Sequence, residues 1–252
     1  MRVITWNMGQ ADRPKRFAKT HEQAWRFLLG LNPDLAFLQE TFPPSWAEEE
    51  GTIVRGPFEK WGSLVFSRGP AIEPLTLPET SPLRALRGNY VAFVRVQLPD
   101  GTGAIGASIH ARPARAEGEV LGGQDPEKLR RSVEGPKFND VIFAGLVPLV
   151  EQRRFILAGD WNTARRQGTQ RDSKIGMKFF DRVRDAGWHD CAWDARGDEI
   201  RTWFGPGKLQ QDDYIFCDQT LGKSVRAVTA AAEAAAELHL SDHAPLIVDL
   251  GA

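Results

Sequence analysis

The sequence predicts a layered α/β protein, and three observations indicate this fold class. Residues 2–6 form a short apolar run, residues 20–31 carry apolar side chains at helical spacing, and residues 35–40 form a second apolar run. This order of strand, helix and strand is what a layered α/β fold requires. Farther along, two more apolar runs flank Pro99-Asp100-Gly101, a sequence typical of a hairpin turn. The middle of the chain is therefore expected to be antiparallel.

The first helix is predicted over residues 20–31, where apolar side chains recur three or four positions apart. Thr20 is its candidate N-cap, with Gln23 at the capping-box position. Asn32-Pro33-Asp34 should end the helix, because a proline disfavours helical backbone in the residue before it. Residues 41–60 are rich in proline, glutamate and glycine and are predicted to form a loop.

The rest of the chain predicts further strands and two helices. The helices are expected at residues 139–152, despite Pro148, and at residues 176–187. Residues 111–139 hold several glycines and prolines among many charges, which predicts a long loop or insertion with at most a short helix. The alanine-rich segment after residue 229 has high helix propensity but no assigned element. Strands are expected at residues 61–66, 90–98, 103–110, 155–160, 214–217, about 225–229 and after Pro245.

The composition is that of an ordinary globular protein, with 42% hydrophobic residues, 26% charged residues and a net charge of -1. No linker or repeat is visible, so a single domain is expected over residues 1–252. The absence of a long apolar run and of a signal-peptide pattern argues against a membrane partner and predicts a cytoplasmic protein. We also expect a monomer. Cys191 and Cys217 are too few for a disulfide framework or a zinc site.

Polar side chains stand at the ends of several predicted strands. Strand ends are rigid, and the loops beside them leave space for a ligand, so functional groups often gather there. Each residue alone has an ordinary structural explanation as a turn former, a cap or a surface group. Their recurrence over six segments predicts one common site, made of Asn7, Glu40, His110, Asp160 with Asn162, Asp213, and Asp242 with His243.

Three of these residues suit a metal ion. Glu40 and Asp242 offer carboxylate oxygens, which are the ligands that Mg²⁺ or Mn²⁺ prefers. The amide oxygen of Asn7 is a further direct or indirect ligand. A Mg²⁺ site commonly uses one or two carboxylates and keeps several waters, so this set is sufficient.

The other residues suit acid–base and electrostatic catalysis at phosphorus. Asp160 could orient or deprotonate a water, and Asn162 could donate a hydrogen bond to a phosphoryl oxygen. His110 and His243 could supply positive charge or a proton. Asp213 could fix the tautomer of His243, which is the usual role of a carboxylate behind an imidazole.

The motifs together resemble the endonuclease/exonuclease/phosphatase superfamily of deoxyribonuclease I, AP endonucleases, neutral sphingomyelinases and inositol polyphosphate 5-phosphatases. They span almost the whole chain in the family's order. The resemblance implies a four-layer α/β sandwich, in which two mixed sheets face each other with helices outside and the site at one edge. It also implies a Mg²⁺-dependent phosphoesterase. The matching pieces are ITWNM with Asn7, LAFLQET with Glu40, WGSLVFSR at 61–68, SIHARP with His110, LAGDWNTA with Asp160 and Asn162, DDYIF with Asp213, and SDHAPL with Asp242 and His243.

Two choices within the family rest on single residues. Asp213 is preferred to Asp212 because the tyrosine follows it directly, as in the family. His110 is a second site histidine, which resembles the deoxyribonuclease I and sphingomyelinase branches. AP endonucleases of the exonuclease III type lack a histidine at that position.

The substrate is left open between three hypotheses. The first is a nuclease that hydrolyses nucleic-acid phosphodiester bonds, supported by local basic runs at residues 111–115, 128–131 and 165–171. The second is a phosphoesterase for a phospholipid, an inositol phosphate or another small phosphoester. The third is a non-catalytic binding protein on the same scaffold.

A few side chains outside the motifs bear on substrate binding. Arg112, just past His110, and Trp203 are candidate substrate contacts, the tryptophan as a stacking surface. Residues 41–46, with Phe42 and Trp46, are the candidate apolar loop that a lipid enzyme would need. Three further cations are interpreted as surface charges with a possible phosphate contact, namely Arg165, Arg166 and Lys174.

Overall fold

The computed structural model describes two six-stranded β-sheets packed face to face, with helices on their outer surfaces. This is the four-layer α/β sandwich that the sequence resemblance implies. The described residues are 1–10, 20–56, 58, 61–86, 90–129, 135–166, 170–204, 210–232 and 239–251.

The first sheet has the strand order β11-β12-β1-β2-β4-β3. Its β1–β2 pair is parallel and its other pairs are antiparallel, so the sheet is mixed. The strands are β1 (Arg2–Asn7), β2 (Leu35–Thr41), β3 (Thr52–Arg55), β4 (Gly62–Ser67), β11 (Val225–Ala230) and β12 (Leu246–Leu250).

The second sheet has the order β5-β6-β7-β8-β10-β9. Here β7 and β8 are parallel and the other pairs are antiparallel. The strands are β5 (Ile72–Pro74), β6 (Val91–Gln97), β7 (Gly103–His110), β8 (Arg154–Asp160), β9 (His189–Asp190) and β10 (Asp213–Cys217).

The helices pack mainly on the outer faces of the sheets. Helix α1 covers the first sheet, and α4 and α5 cover the second. No helix within the described ranges is both long and apolar enough to cross a membrane. The α-helices are α1 (His21–Gly30), α2 (Ala47–Glu50), α3 (Pro126–Leu129), α4 (Phe138–Val150), α5 (Gln170–Asp185), α6 (Cys191–Arg196) and α7 (Gln219–Gly222), with 3-10 turns at Pro82–Leu86 and Gly118–Leu121.

Burial on both faces explains the continuous apolar runs of the central strands. In β2, Leu35 and Phe37 face the core between the sheets, whereas Ala36 and Leu38 face helix α1. Successive side chains of a strand point to opposite faces, so a strand covered on both sides is apolar throughout.

The two parallel pairs bring the predicted site residues to one edge. In the first sheet, Asn7 lies opposite Gln39, next to Glu40. In the second sheet, His110 lies directly opposite Asp160. Parallel strands end on the same side, so each sheet presents there two strand ends that carry predicted site residues.

Most predicted elements are confirmed, including the hairpin, helix α4 around Pro148 and strand β11. Residues 41–60 are not only a loop, because they contain α2 and β3. Helix α5 begins at Gln170, six residues before the predicted start. The sequence did not indicate this beginning, because residues 170–174 are polar and show no apolar periodicity. The predicted excursion at 111–139 holds two short helical turns and the start of α4. Most of the alanine-rich segment, residues 233–238, lies outside the described residues.

The predicted capping box of α1 is wrong. Thr20 stands at the N-cap, but its backbone is helical (φ -104°, ψ -2°) and its side chain makes no capping hydrogen bond. An N-cap hydroxyl reaches the first turn from an extended backbone, which Thr20 does not adopt.

Candidate active site

A cavity of about 550 Å³ opens where the strand ends of the two sheets meet. All of the predicted site residues line it except Asp213, which is fully buried behind His243. The structure therefore brings together side chains that are up to 236 positions apart, from Asn7 to His243. Four lining residues were not predicted as site residues, namely Gly9, Pro113, Gln210 and Asp212.

His243 is held by a buried carboxylate. Its Nδ1 lies 2.8 Å from Oδ2 of Asp213, which fixes the tautomer with Nε2 toward the cavity. Burial by itself lowers the pKa of His243, but the charge and hydrogen bond of Asp213 outweigh burial and raise that pKa well above its usual value. The backbone is fixed as well, because Ser241 Oγ accepts from the N–H of His243 and donates to the carbonyl of Asn7.

Asp160 lies between the two site imidazoles. Its Oδ2 is 3.9 Å from Nε2 of His243 and 4.0 Å from Nε2 of His110. The amide of Asn7 donates to the same oxygen at 2.9 Å, and Oδ1 accepts the backbone N–H of Asn162 at 2.9 Å. Burial raises the pKa of Asp160 to about 6, although the positive charge of His243 opposes the rise.

Glu40 reaches the cavity through an irregularity at the end of β2. The pairing of β2 with β4 shifts register between Leu38 and Thr41, and Glu40 has a positive φ of 51°. Such bulges re-aim a side chain, and positive φ in a non-glycine residue is often found at functional sites. Burial raises the pKa of Glu40, but the hydrogen bond and charge of His110 outweigh burial and lower it.

His110 contacts Glu40 across the gap between the sheets. Its Nε2 lies 3.0 Å from Oε1 of Glu40. Burial lowers the pKa of His110, but the contact with Glu40 and the charge of Asp160 raise it overall. Within the described part of the chain, its buried Nδ1 has no hydrogen-bond partner.

Asn7 is oriented differently from the prediction. Its amide oxygen accepts the backbone N–H of Gly9 at 2.9 Å, and its nitrogen donates to Asp160 and, at 3.2 Å, to Glu40. The nitrogen therefore faces the cavity and joins two carboxylates. A direct bond from the oxygen to a metal would require the amide to turn, so metal ligation by Asn7 stays a prediction.

The carboxylates fit a hard divalent cation. Glu40 and Asp242 line the same cavity and offer oxygen ligands. Within the described ranges, no group of three or more histidine, cysteine or acidic side chains is arranged to hold a metal ion by itself. Mg²⁺ commonly binds one or two carboxylates and keeps its remaining waters, so this open arrangement suits Mg²⁺ or Mn²⁺.

A sequence profile of the Endonuclease/Exonuclease/phosphatase family matches residues 4–243. The chain belongs to this family of phosphoester hydrolases. A search of curated protein sequences finds no significant match.

Solved structures show the same fold at low sequence identity. A 3′ phosphatase from Neisseria, bound to a product DNA hairpin, superposes with a TM-score of 0.68 at 17% identity over 100% of both chains. An AP endonuclease from Leishmania major gives 0.68 at 16% identity, covering 100% of this chain and 87% of that one. An AP endonuclease from Archaeoglobus fulgidus gives 0.66 at 15% identity over 100% of both chains. At these identities the likeness establishes the deoxyribonuclease I-like sandwich.

The two predicted substrate contacts of this family member lie on the cavity wall. Arg112 is exposed there, and its Nη1 donates to the hydroxyl of Tyr90 at 3.3 Å. Trp203 pairs its backbone with both Gln210 and His243, so its position is tied to that of His243.

Arg165 corrects a prediction, because it is buried and not a surface charge. Its guanidinium lies over the rings of Phe180 at 3.8 Å and Trp193 at 4.3 Å, and 2.8 Å from Oδ2 of Asp190. Glu199 accepts the backbone N–H of Arg165, so the segment after Asn162 is fixed by buried contacts. The sequence carried no signal for this arrangement, whose members are distant along the chain.

Asp212 is a further cavity residue. Both of its oxygens accept from Nε2 of Gln210, and burial, together with the charge of Asp160, raises the pKa of Asp212 to about 7. The only sequence signal was the Asp212-Asp213 doublet, in which the structure separates two roles. Asp213 supports His243, whereas Asp212 faces the cavity.

Proposed function

We propose that the protein is a divalent-metal-dependent phosphodiesterase that hydrolyses nucleic acid by direct attack of water. The observation that carries the proposal is the position of Asp160, whose Oδ2 lies within 4.0 Å of both imidazoles in the cavity that Glu40 and Asp242 also line. The described lining of this cavity includes no serine or cysteine, and a buried carboxylate flanked by two imidazoles suits activation of water better than covalent catalysis.

In this mechanism Asp160 orients the water and accepts its proton as the oxygen attacks phosphorus. Its carboxylate is held by Asn7 and by the backbone of Asn162, so it is oriented before the substrate binds. A correctly positioned general base contributes about 10²- to 10⁴-fold to a rate.

The phosphoryl oxygens are bound by Asn162, His110 and His243, which supply a hydrogen bond and positive charge as the phosphorane forms. Asp213 keeps His243 charged and turned toward the substrate, because its carboxylate lies 2.8 Å from Nδ1. The attack ends with cleavage of the bond from phosphorus to the leaving oxygen.

Glu40 and Asp242 would hold Mg²⁺ or Mn²⁺, with Asn7 next to Glu40. Such an ion supplies Lewis acidity and neutralises negative charge on the leaving oxygen.

Nucleic acid is the favoured substrate. Arg112 is an exposed cation at the cavity wall, where it suits a phosphate that flanks the reacting one. Three solved neighbours named above act as a 3′ phosphatase bound to DNA or as AP endonucleases, which supports the same substrate class.

A phospholipid substrate is less well supported. Among the described residues, the exposed large hydrophobic side chains are Phe42 and Met177. The ring of Phe42 is stacked on His21 at 4.2 Å, and Trp46 is covered by the guanidinium of Arg26 at 4.8 Å. The predicted apolar loop thus offers one exposed ring, which is little surface for inserting into a bilayer.

A substrate panel tests the proposal. Purified protein, stripped of metal and then supplied with Mg²⁺ or Mn²⁺, is incubated with single-stranded and duplex DNA, RNA, an inositol phosphate and phospholipid vesicles. We expect metal-dependent cleavage of at least one nucleic acid. Intact DNA and RNA alongside hydrolysis of a small phosphoester or lipid would move the activity to the second substrate class.

A further inference from the structure

Asp212 has no role in the catalytic steps above, yet it forms part of the cavity wall. Asp212 is 4% exposed, and its side chain lines the cavity in which the phosphodiester would bind. Nε2 of Gln210 donates to both carboxylate oxygens, at 2.8 and 3.1 Å. One amide nitrogen is thus the only donor found for two carboxylate oxygens within the described residues.

The backbone holds Asp212 in place from both sides. Its N–H donates to Oγ1 of Thr202 at 3.1 Å, and its carbonyl accepts the N–H of Trp161 at 2.8 Å. Trp161 lies between Asp160 and Asn162, so the position of Asp212 is set by the same segment that carries the catalytic groups. The side chain is therefore preorganised toward the cavity.

The charge of Asp212 decides what it can bind. An ionised carboxylate accepts hydrogen bonds and repels the oxygens of a phosphate. It is also costly to bury with so few donors. In its ionised form, Asp212 suits a neutral group of the substrate that has a hydrogen to donate. Trp203, which pairs with Gln210 through the backbone, adds an aromatic surface to the same wall.

We propose that Asp212, held by Gln210 beside Trp203, accepts a hydrogen bond from a sugar hydroxyl of the nucleoside next to the scissile phosphate. The proposal rests on the proposed nuclease function and makes it more specific. Two sources supply this hydroxyl, the 2′-hydroxyl of RNA and the terminal hydroxyl of a strand end. In either case the wall favours a substrate that carries the donor, because the buried carboxylate would otherwise keep the amide of Gln210 as its one donor among the described residues.

The experiment compares substrates that differ in the donor alone. Oligonucleotides of one sequence are made as RNA, as 2′-fluoro RNA, which retains the sugar conformation but lacks the donor, and as DNA with a terminal 3′-hydroxyl or a 3′-deoxy end. The ratio of kcat/KM between each donor substrate and its donor-free partner is measured for wild type, Asp212→Leu and Asp212→Asn. Mildly alkaline pH keeps the carboxylate ionised, and thermal unfolding checks that each variant folds.

We expect wild type to favour one donor substrate by about 10- to 100-fold, the range for one hydrogen bond to a charged acceptor. The RNA pair and the strand-end pair then identify the source of the hydroxyl. In Asp212→Leu the ratio should fall close to one, and in Asp212→Asn, which keeps a neutral acceptor, it should be intermediate. Asp181→Asn, which alters a solvent-accessible carboxylate on α5, should keep the wild-type ratio.

The possible failures are distinguishable. Equal cleavage of donor and donor-free substrates by wild type would overturn the role of Asp212 while leaving the nuclease function intact, and so would a wild-type ratio in Asp212→Leu. If Asp212→Leu does not fold, an unchanged ratio in Asp212→Asn overturns the proposal. Failure of wild type to cleave any nucleic acid would instead reject the nuclease function, and the proposal with it.

Discussion

Nε2 of His110 lies 3.0 Å from Oε1 of Glu40, and this contact joins the two β-sheets at the centre of the candidate site. A second link is parallel to it, because Asn7 of the first sheet donates to Asp160 of the second at 2.9 Å. The candidate catalytic groups are thus divided between the sheets, and neither sheet holds all of them. The site can form only when the two sheets pack against each other, so the distances between its groups depend on the packing of the core between the sheets.

The Asp213–His243 pair should act as one unit. Asp213→Asn keeps the size of the side chain but removes the charge that holds His243 protonated and correctly oriented. We expect kcat to fall by about 10²- to 10⁴-fold, as when the carboxylate behind a catalytic histidine is neutralised. Single-turnover cleavage of an oligonucleotide by Asp213→Asn, His243→Ala and the double variant gives the measurement.

The double variant supplies the discriminating control. If Asp213 works through the imidazole, the double variant should be no slower than His243→Ala. Additive losses would mean that Asp213 acts separately, and that its contact with His243 is only structural.

Glu40 should determine how much Mg²⁺ the protein needs for activity. Removing metal with a chelator should abolish activity, and Mg²⁺ should restore it. Glu40→Gln should require at least about 10-fold more Mg²⁺ for half-maximal activity, since even outer-shell partners of a metal have effects of that size. Binding is measured independently of activity, as the rise in unfolding temperature on adding Mg²⁺, which should shrink in Glu40→Gln.

Glu73→Gln is the matched control for this change, because Glu73 is an exposed glutamate on β5 paired with Arg95. It should leave the metal dependence as in wild type. Two results would contradict a metal at Glu40. One is full activity of wild type in the presence of the chelator, and the other is a Mg²⁺ requirement of Glu40→Gln equal to that of wild type.

Arg165 should contribute strongly to stability. Arg165→Ala leaves the buried carboxylate of Asp190 without its cation and removes the group between Phe180 and Trp193. We expect the free energy of unfolding to fall by about 3–5 kcal/mol, the usual effect of breaking a buried ion pair. Urea unfolding at equilibrium measures the change.

The neighbouring Arg166 provides the comparison, because its ion pair with Asp198 is exposed. Arg166→Ala should change the free energy of unfolding by no more than about 1 kcal/mol. Equal effects of the two alanine substitutions would show that the buried contacts of Arg165 add little stability.

Much of the fold and site could be predicted from the sequence, because both depend on local patterns. Strands buried on both faces are continuous apolar runs, and β2 and β8 could therefore be recognised together with the acids at their ends. Helix α1 carried a clear apolar period. The order of the motifs along the chain predicted that their polar residues share one site, and the structure places these residues around one cavity.

What could not be predicted depends on contacts between distant segments. The positive φ of Glu40 follows from pairing of β2 with β4, and the orientation of the Asn7 amide follows from Gly9 and two carboxylates. The sequence predicts a surface charge at Arg165, because no residue near it along the chain indicates the two aromatic rings that enclose it. The short strands β5 and β9 are defined by their partners more than by their own sequence.

Cleavage of a labelled oligonucleotide by wild type and by Asp160→Asn, both stripped of metal and resupplied with Mg²⁺, tests the central claim most directly. Asp160→Asn removes the proposed base and leaves the shape of the side chain unchanged. Its thermal unfolding is measured beside the rate, because the asparagine amide can accept from only one of the two donors that Asn7 and Asn162 present to Asp160. We predict cleavage by wild type and a rate about 10²- to 10⁴-fold lower for Asp160→Asn. Equal rates for the two proteins, or an intact oligonucleotide with wild type, would contradict the account.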